Sequence, residues 1–377
     1  MTNPLLALQR LGQSPWHDNI RRDLLTSGIL ARMIEEGEIT GLTSNPTIFE
    51  QAIAKSEIYD EAIRRLAREG KSAEAIFEAL SVEDIRNAAA LFMPVFERTR
   101  GKDGFVSIEV SPKLAHDTGK TLDEARRYWR TVDRRNLMVK IPATAAGVPA
   151  IEAAIADGIN VNVTLIFSIE RYQAVMGAYI RGLRKRAASG GDVRSVASVA
   201  SFFVSRVDSA VDQLLDDRIA AGGRGQERLR TLKGKAAIAN AKLAYKAFAR
   251  TFGGDGFADL SARGAQRQRP LWASTSSKNP SYPDVYYVEA LIGPDTVNTM
   301  PPATLAAYKD HGRPVVRVDQ ELETARETIA ALASAGIDLP AVLGRLEEEG
   351  VASFARSYES LISVVSERAA TISGSRG

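Results

Sequence analysis

The stretch NLMVKIPATAAGVPAIEAAIADGINVNVTLIFS, Asn136–Ser168, reads as strand, helix, strand. Two short apolar runs, Leu137–Pro142 and Val161–Phe167, flank an Ala-rich amphipathic segment about one helix long, the pattern of a βαβ unit with parallel strands. Side chains alternate across a strand, so Leu137, Val139 and Ile141 share one face and Met138 and Lys140 share the other. In the second run Val161, Val163 and Leu165 point one way while Asn160, Asn162 and Thr164 point the opposite way. Each strand therefore has an aliphatic face for packing under helices and a second face that presents an amine, amides and a hydroxyl. That second face reads as a site.

The same grammar repeats outward in both directions. Upstream, short strands are expected at Ser14–Ile20, Ile39–Asn45 and Phe105–Val110; downstream, at Ser195–Ser201, Pro270–Thr275 and Asp295–Met300. Helical sequence separates them: a helix through Leu24–Ile34 ending near Gly37, a helix start at Ser81 with Glu83 and Asp84 in its first turn, a helix around Thr121–Asn136, and one over Ile169–Ala188 capped by Ser168. Eight strands alternating with helices predict an α/β fold, a (β/α)8 TIM barrel. Residues 1–302 make up this barrel domain. Residues 303–377 are helix-rich and, with no Pro/Gly/Ser linker before them, form a C-terminal helical extension packed on the barrel.

Composition narrows the function classes. The 377 residues are 45% hydrophobic and 25% charged, an ordinary globular balance. Basic residues number 49 against 46 acidic, a formal net charge of +3, which gives no reason to expect nucleic acid; Arg181, Arg184, Lys185 and Arg186 read as a solvated helix face. The absence of cysteine removes disulfides, thiolate metal sites and a cysteine nucleophile, and the three histidines, His17, His116 and His311, lie far apart. No run reaches transmembrane length and the N-terminus lacks a basic region followed by an apolar core, so a cytoplasmic protein without a membrane partner is expected.

Catalytic groups of a barrel sit where its strands finish. The pattern collects Asp18, Asn45, Glu109, Lys140, Asn162, Thr164, Ser201 and Ser274 there. Lys140 is the sharpest of them. A solvated lysine on an edge strand is the bland alternative, but the apolar flanks and the polar neighbouring strand suggest an enclosed strand, where an unpaired ammonium is expensive. Desolvation and nearby cations would leave enough free amine to attack a carbonyl and form a Schiff base. Such chemistry needs proton transfers, for which Glu109 and Asp18 are candidates; they could equally be plain ion-pair partners. Thr164, Asn162 and Asn45 fit either a substrate site or a hydrogen-bonded core. Arg206 follows a strand end, where a cation and backbone N–H groups can hold a phosphate, and a surface arginine is the alternative.

At these residues the sequence resembles the transaldolases, particularly their longer bacterial branch. The resemblance rests on GLTSNPTIF (Gly41–Phe49), SIEV (Ser107–Val110), MVKIPAT (Met138–Thr144), GINVNVTLIFS (Gly158–Ser168), WASTSSKNP (Trp272–Pro280) and DTVNTMP (Asp295–Pro301), and covers nearly the whole chain. It implies a class I aldolase-type barrel of the pentose phosphate pathway that moves a dihydroxyacetone unit from sedoheptulose 7-phosphate to glyceraldehyde 3-phosphate. It further implies Lys140 as the Schiff-base lysine and Asp18 as the acid/base at the donor C4 hydroxyl. Glu109 and Thr164 would handle a water, Asn45 and Asn162 the dihydroxyacetone hydroxyls, Ser201 the substrate, and Arg206 a phosphate. Neither metal nor organic cofactor is expected, and the chain would work as a monomer or homodimer.

Two positions depart from the family pattern. Shorter members carry a second phosphate-binding arginine in the Trp272–Asn279 block, where this chain offers Ser276 and Lys278, and Phe202 stands where a proline is expected. The rivals are a simple aldolase on the same scaffold, which Glu109 argues against because the aldolase relatives tend to have a neutral amide there, and a silent barrel that only binds sugar phosphates.

Overall fold

The computed structural model describes residues 3–222 and 225–374. Eight short strands close into one parallel barrel in sequence order: β1 Gln13–Asp18, β2 Gly41–Thr43, β3 Val106–Glu109, β4 Leu137–Pro142, β5 Val161–Ile166, β6 Ser198–Phe203, β7 Arg269–Ala273 and β8 Thr296–Met300. β8 pairs with β1, so no strand edge is left open. The outward aliphatic residues read from the sequence, among them Val106, Ile108, Leu137, Val139, Ile141, Val161 and Val163, are all at most 2% exposed, packed between sheet and helices. The barrel is thus the (β/α)8 fold that the alternation predicts.

Several local expectations shift. A helix over Pro4–Arg10, unforeseen in the sequence, precedes β1; Asn3 caps it by accepting from Leu5 N, with Pro4 at the first turn. The Leu24–Ile34 helix is two, Arg22–Thr26 and Ile29–Glu35, split at Gly28, whose φ of 78° breaks the helical run. Ser81 does not start a helix. It lies inside Ala73–Arg98, which Ser72 caps, and Asp84 is buried because it holds the Arg22 guanidinium at 2.8 Å and accepts from Tyr59 OH at 2.9 Å. The acidic pair there serves tertiary pairing rather than a helix dipole. β6 begins later than expected because Val193–Ser195 is taken up by a 3-10 turn capped by Asp192, and Phe202 instead belongs to the strand, packed edge-on to Trp272 and Tyr172.

β5 is irregular. Its pairing with β6 slips between Val163 and Ile166, and Leu165 has φ 59°, a conformation that costs a non-glycine residue of order 1–3 kcal/mol. The alternation expected along Val161, Val163, Leu165 therefore fails at its last member. Leu165 turns instead toward the final helix, Leu339–Gly374, close enough that a Cβ on Gly350 would lie 3.0 Å from Leu165 Cδ2.

Beyond β8, the helix Pro302–His311 packs on β1, β8 and the N-terminal helix, and Leu322–Ser334 packs on the helix Ala236–Gly253. The 36-residue helix Leu339–Gly374 crosses the helices Pro46–Ala54, Asp60–Arg68, Ala73–Arg98 and Ser205–Ala220 and reaches β5. It lies over the end of the barrel where the strands finish. Among the described residues, no single helix is long and apolar enough to cross a membrane.

Candidate active site

Strand register fixes the centre of the site. Glu109 on β3 pairs with Lys140 on β4, and Lys140 pairs with Asn162 on β5, so three polar side chains stand in one row across neighbouring strands. Lys140 Nζ lies 3.2 Å from Glu109 Oε2, with the two side chains 6% and 5% exposed. It donates to the carbonyl of Ser44 at 3.2 Å and sits 5.6 Å from the centre of the Phe354 ring. The lysine is therefore enclosed and paired with the Glu109 carboxylate, the ion-pair alternative that the sequence allowed. Burial pushes the Glu109 carboxyl up to about 7 against the opposing pull of Lys140. A carboxyl at that value can both give and take a proton near neutrality.

Asp18 ends β1 and accepts from Thr43 Oγ1 at 2.6 Å. Burial raises its pKa, while the Lys140 charge and the Thr43 hydrogen bond work in the opposite direction. Thr43 is itself 2.6 Å from Thr299 Oγ1, so a hydroxyl pair from β2 and β8 holds the carboxylate. Sequence inspection missed both threonines. A threonine at each of the two strand ends, in T-S-N at Thr43 and N-T-M at Thr299, was their signal.

A cavity of about 370 Å³ opens at this mouth, within the range of small-molecule sites. Of the residues expected at the site, Asp18, Asn45, Lys140, Thr164, Ser201, Arg206 and Ser274 line it; Glu109 and Asn162 lie beside and beneath the lining. Glu109 connects through Lys140. Asn162 donates to Ser107 Oγ at 3.0 Å and accepts from Ser201 Oγ at 2.7 Å, so it orients Ser201 and keeps a further N–H and lone pair to offer. Asn45 has a second task, capping the Pro46–Ala54 helix through Ile48 N at 3.0 Å. Thr164 Oγ1 is buried without a hydrogen-bond partner among the described residues, and Glu109 Oε2 faces the Lys140 amine at 3.2 Å. Both retain bonding capacity next to the amine.

The far wall is cationic. Arg206 stands in the first turn of the helix Ser205–Ala220, half-buried, with its guanidinium 5.4 Å from the Phe203 ring centre and no ion pair among the described residues. Burial lowers its pKa. Lys278 reaches in from the loop after β7; desolvation and then the Arg206 charge depress its pKa, which places two like charges in mutual range. Unpaired cations facing one cavity beside a helix N-terminus suit an anionic group. Ser274, at φ 55°, sets the turn from β7 into this loop.

Gln51 and Phe354 also line the cavity. Phe354 comes from the C-terminal helix, so the extension supplies part of the wall around Lys140. Among the described residues, no group of three or more His, Asp or Glu side chains is placed to hold a metal ion.

A closed parallel barrel with an enclosed lysine, two carboxylates and facing cations at its C-terminal mouth has the make-up of a class I aldolase-type enzyme. The chain belongs to the transaldolase/fructose-6-phosphate aldolase family, which matches residues 15–365. It is 52% identical to a transaldolase of Thiobacillus denitrificans over 95% of this chain and 98% of that protein. It is 48% identical to transaldolase 2 of Nostoc sp., covering 96% of both chains, and 48% identical to a transaldolase of Mycolicibacterium smegmatis, again covering 96% of both.

Proposed function

We propose that the chain is a transaldolase that carries dihydroxyacetone from sedoheptulose 7-phosphate to glyceraldehyde 3-phosphate, giving erythrose 4-phosphate and fructose 6-phosphate. The observation that carries this reading is Lys140 Nζ, enclosed at the strand ends and 3.2 Å from a carboxylate whose pKa lies near 7. Residues 1–302 are the catalytic barrel domain and residues 303–377 its extension, whose described part, to Gly374, caps the barrel with Phe354 lining the site. The protein works in the cytoplasm, as a monomer or homodimer.

The steps follow from the groups present. Lys140 passes a proton to Glu109 and attacks the C2 carbonyl, forming a carbinolamine. Glu109, with Thr164 steering the oxygen, returns a proton to the departing hydroxyl, so water leaves and a protonated imine remains. Asp18 takes the proton of the C4 hydroxyl; the O–H electrons form the C4 carbonyl, the C3–C4 bond breaks, and its electron pair flows into the imine to give an enamine. Ser201, oriented by Asn162, and Asn45 hold the dihydroxyacetone hydroxyls, while Arg206 and Lys278 hold the phosphate. The enamine then attacks the acceptor aldehyde, whose oxygen takes the proton back from Asp18, and water releases the product from Lys140.

Borohydride reduction in the presence of fructose 6-phosphate, followed by peptide mass mapping, tests the reading. A dihydroxyacetone adduct on the Lys140 peptide is expected, with turnover dependent on erythrose 4-phosphate. Trapping without acceptor dependence would instead identify an aldolase, and no trapping at substrate-saturating concentrations would leave a silent barrel.

The Glu109 value also sets a pH dependence. Below about pH 7 Glu109 holds its own proton and cannot take one from Lys140. kcat/KM is therefore expected to fall as the pH drops through that region and to reach a plateau above it. In Glu109→Gln the side chain no longer titrates, so this acid limb should flatten while overall activity falls. An unchanged limb in the variant would assign the titration to another group.

A further inference from the structure

Two cations face the phosphate end of the cavity, and only one of them is on a rigid element. Arg206 rides on the helix Ser205–Ala220, whereas Lys278 sits on the loop that leaves β7. That loop is tied to the same helix at both ends. At the near end Ser205 N donates to the carbonyl of Ser274 at 3.0 Å, and the two serine hydroxyls are 3.0 Å apart. At the far end, two turns along the helix, Tyr282 OH donates to Asp212 Oδ2 at 2.6 Å.

Little slack remains between Lys278 and Tyr282. Ser277 Oγ and Tyr282 N both donate to the carbonyl of Asn279, each at 3.0 Å, and Ser281 N donates to Asn279 Oδ1 at 2.9 Å. The anchor is equally fixed. Asp212 Oδ1 accepts from Gly234 N at 2.9 Å, and Gly234, at φ 71°, lies so close under the tyrosine that an added Cβ would be 2.7 Å from Tyr282 Cζ. One turn earlier Asp208 accepts from Ala237 N at 2.8 Å and from Tyr287 OH at 3.0 Å, and Tyr286 OH donates to the Gly234 carbonyl at 3.0 Å.

Asp208 and Asp212 are 1% and 7% exposed and neither lines the cavity. Burying two carboxylates near one another is costly; it pushes Asp208 up to about 7, with the Asp212 charge contributing. Both carboxylates hold the chain entering the helix Ala236–Gly253, and Asp212 in addition holds the loop through Tyr282.

We propose that Tyr282 and Asp212 form a latch that positions Lys278 opposite Arg206, so that the two cations grip the substrate phosphate as one unit. The inference rests on the assignment of Arg206 and Lys278 to that phosphate. Tyr282 and Asp212 are positioning residues: they touch no substrate and act through Lys278. Their loss lets the loop carry the lysine away from Arg206, which weakens phosphate binding without altering the chemistry at Lys140.

Tyr282→Phe keeps the ring over Gly234 and removes only the hydroxyl. Its KM for fructose 6-phosphate is expected to rise about threefold to tenfold with kcat nearly unchanged, a loss of uniform binding. Cleavage of fructose itself should not change. Asp212→Asn should behave the same way, and thermal unfolding of each variant establishes that it is folded. In a Lys278→Ala background Tyr282→Phe should have no further effect on KM, because the latch then has nothing to position. If Lys278→Ala raises KM and Tyr282→Phe does not, or if the two effects simply add, the latch is wrong. If Lys278→Ala itself leaves KM unchanged, the phosphate assignment fails instead.

Discussion

Lys140→Ala is expected to lower kcat/KM for the transfer between fructose 6-phosphate and erythrose 4-phosphate by at least about 10⁴-fold, because covalent catalysis is removed outright rather than weakened. No other amine can take over. Lys278, the second lysine lining the cavity, faces Arg206 on the phosphate side and is hydrogen-bonded to Ser276 Oγ at 2.7 Å. The variant should also fold. Removing one partner of a buried ion pair commonly costs about 3–5 kcal/mol because a charge is stranded. Here Glu109 already has its pKa pushed up to about 7 with Lys140 present. Without the lysine it takes up a proton and becomes neutral, which avoids most of that cost. A modest decrease in Tm is therefore expected, larger above pH 7 than below it, since above that pH the proton must be drawn from a more dilute pool. Steady-state rates and thermal scans at two pH values test both halves. Residual activity above about 1% of the parent would sink the Schiff-base assignment, since the stated loss is far larger.

The polar row Glu109–Lys140–Asn162 could be read from the sequence because it depends on strand alternation and parallel pairing, which are local rules. β4 has the limits expected, Leu137–Pro142, and its neighbours differ by a residue or two. What escaped the sequence depends on contacts distant along the chain. Phe354 reaches Lys140 only because the last helix crosses the barrel mouth, and nothing near Phe354 in sequence announces a catalytic neighbour. The bulge at Leu165 is similar: its side chain turns toward Gly350 of that helix, so strict alternation along β5 fails under tertiary contact. Asp84 misled for a different reason. Its place after Ser81 imitates a helix start, yet the partner that explains it, Arg22, comes from a helix on the other side of β2 in the chain. The Asn3–Pro4 pair, by contrast, was a legible helix start. The same Asn–Pro step recurs at Asn45–Pro46, where it too caps a helix, Pro46–Ala54.

Asp18→Asn is expected to separate bond breaking from imine formation. Burial favours the neutral form of Asp18, and the Lys140 charge favours the ionised form. That charge changes during the reaction. While the protonated imine stands on Lys140, the positive charge keeps Asp18 ionised and ready to take the C4 hydroxyl proton. Once the enamine forms the nitrogen is neutral, the opposing pull disappears, and burial alone makes Asp18 hold the proton it has just received. The proton therefore stays in place for the incoming acceptor, whose new alkoxide needs it. Thr43, donating at 2.6 Å, keeps the carboxylate pointed at this position throughout. An asparagine can accept the same hydrogen bond but cannot carry the proton, so kcat should fall by about 10²–10⁴-fold, the usual scale for general acid–base loss. KM should change little, and borohydride should still trap fructose 6-phosphate on Lys140, now as the intact six-carbon adduct rather than the three-carbon one. Mass mapping distinguishes the two directly. A three-carbon adduct accumulating at the parent rate would show that a group other than Asp18 removes the C4 proton.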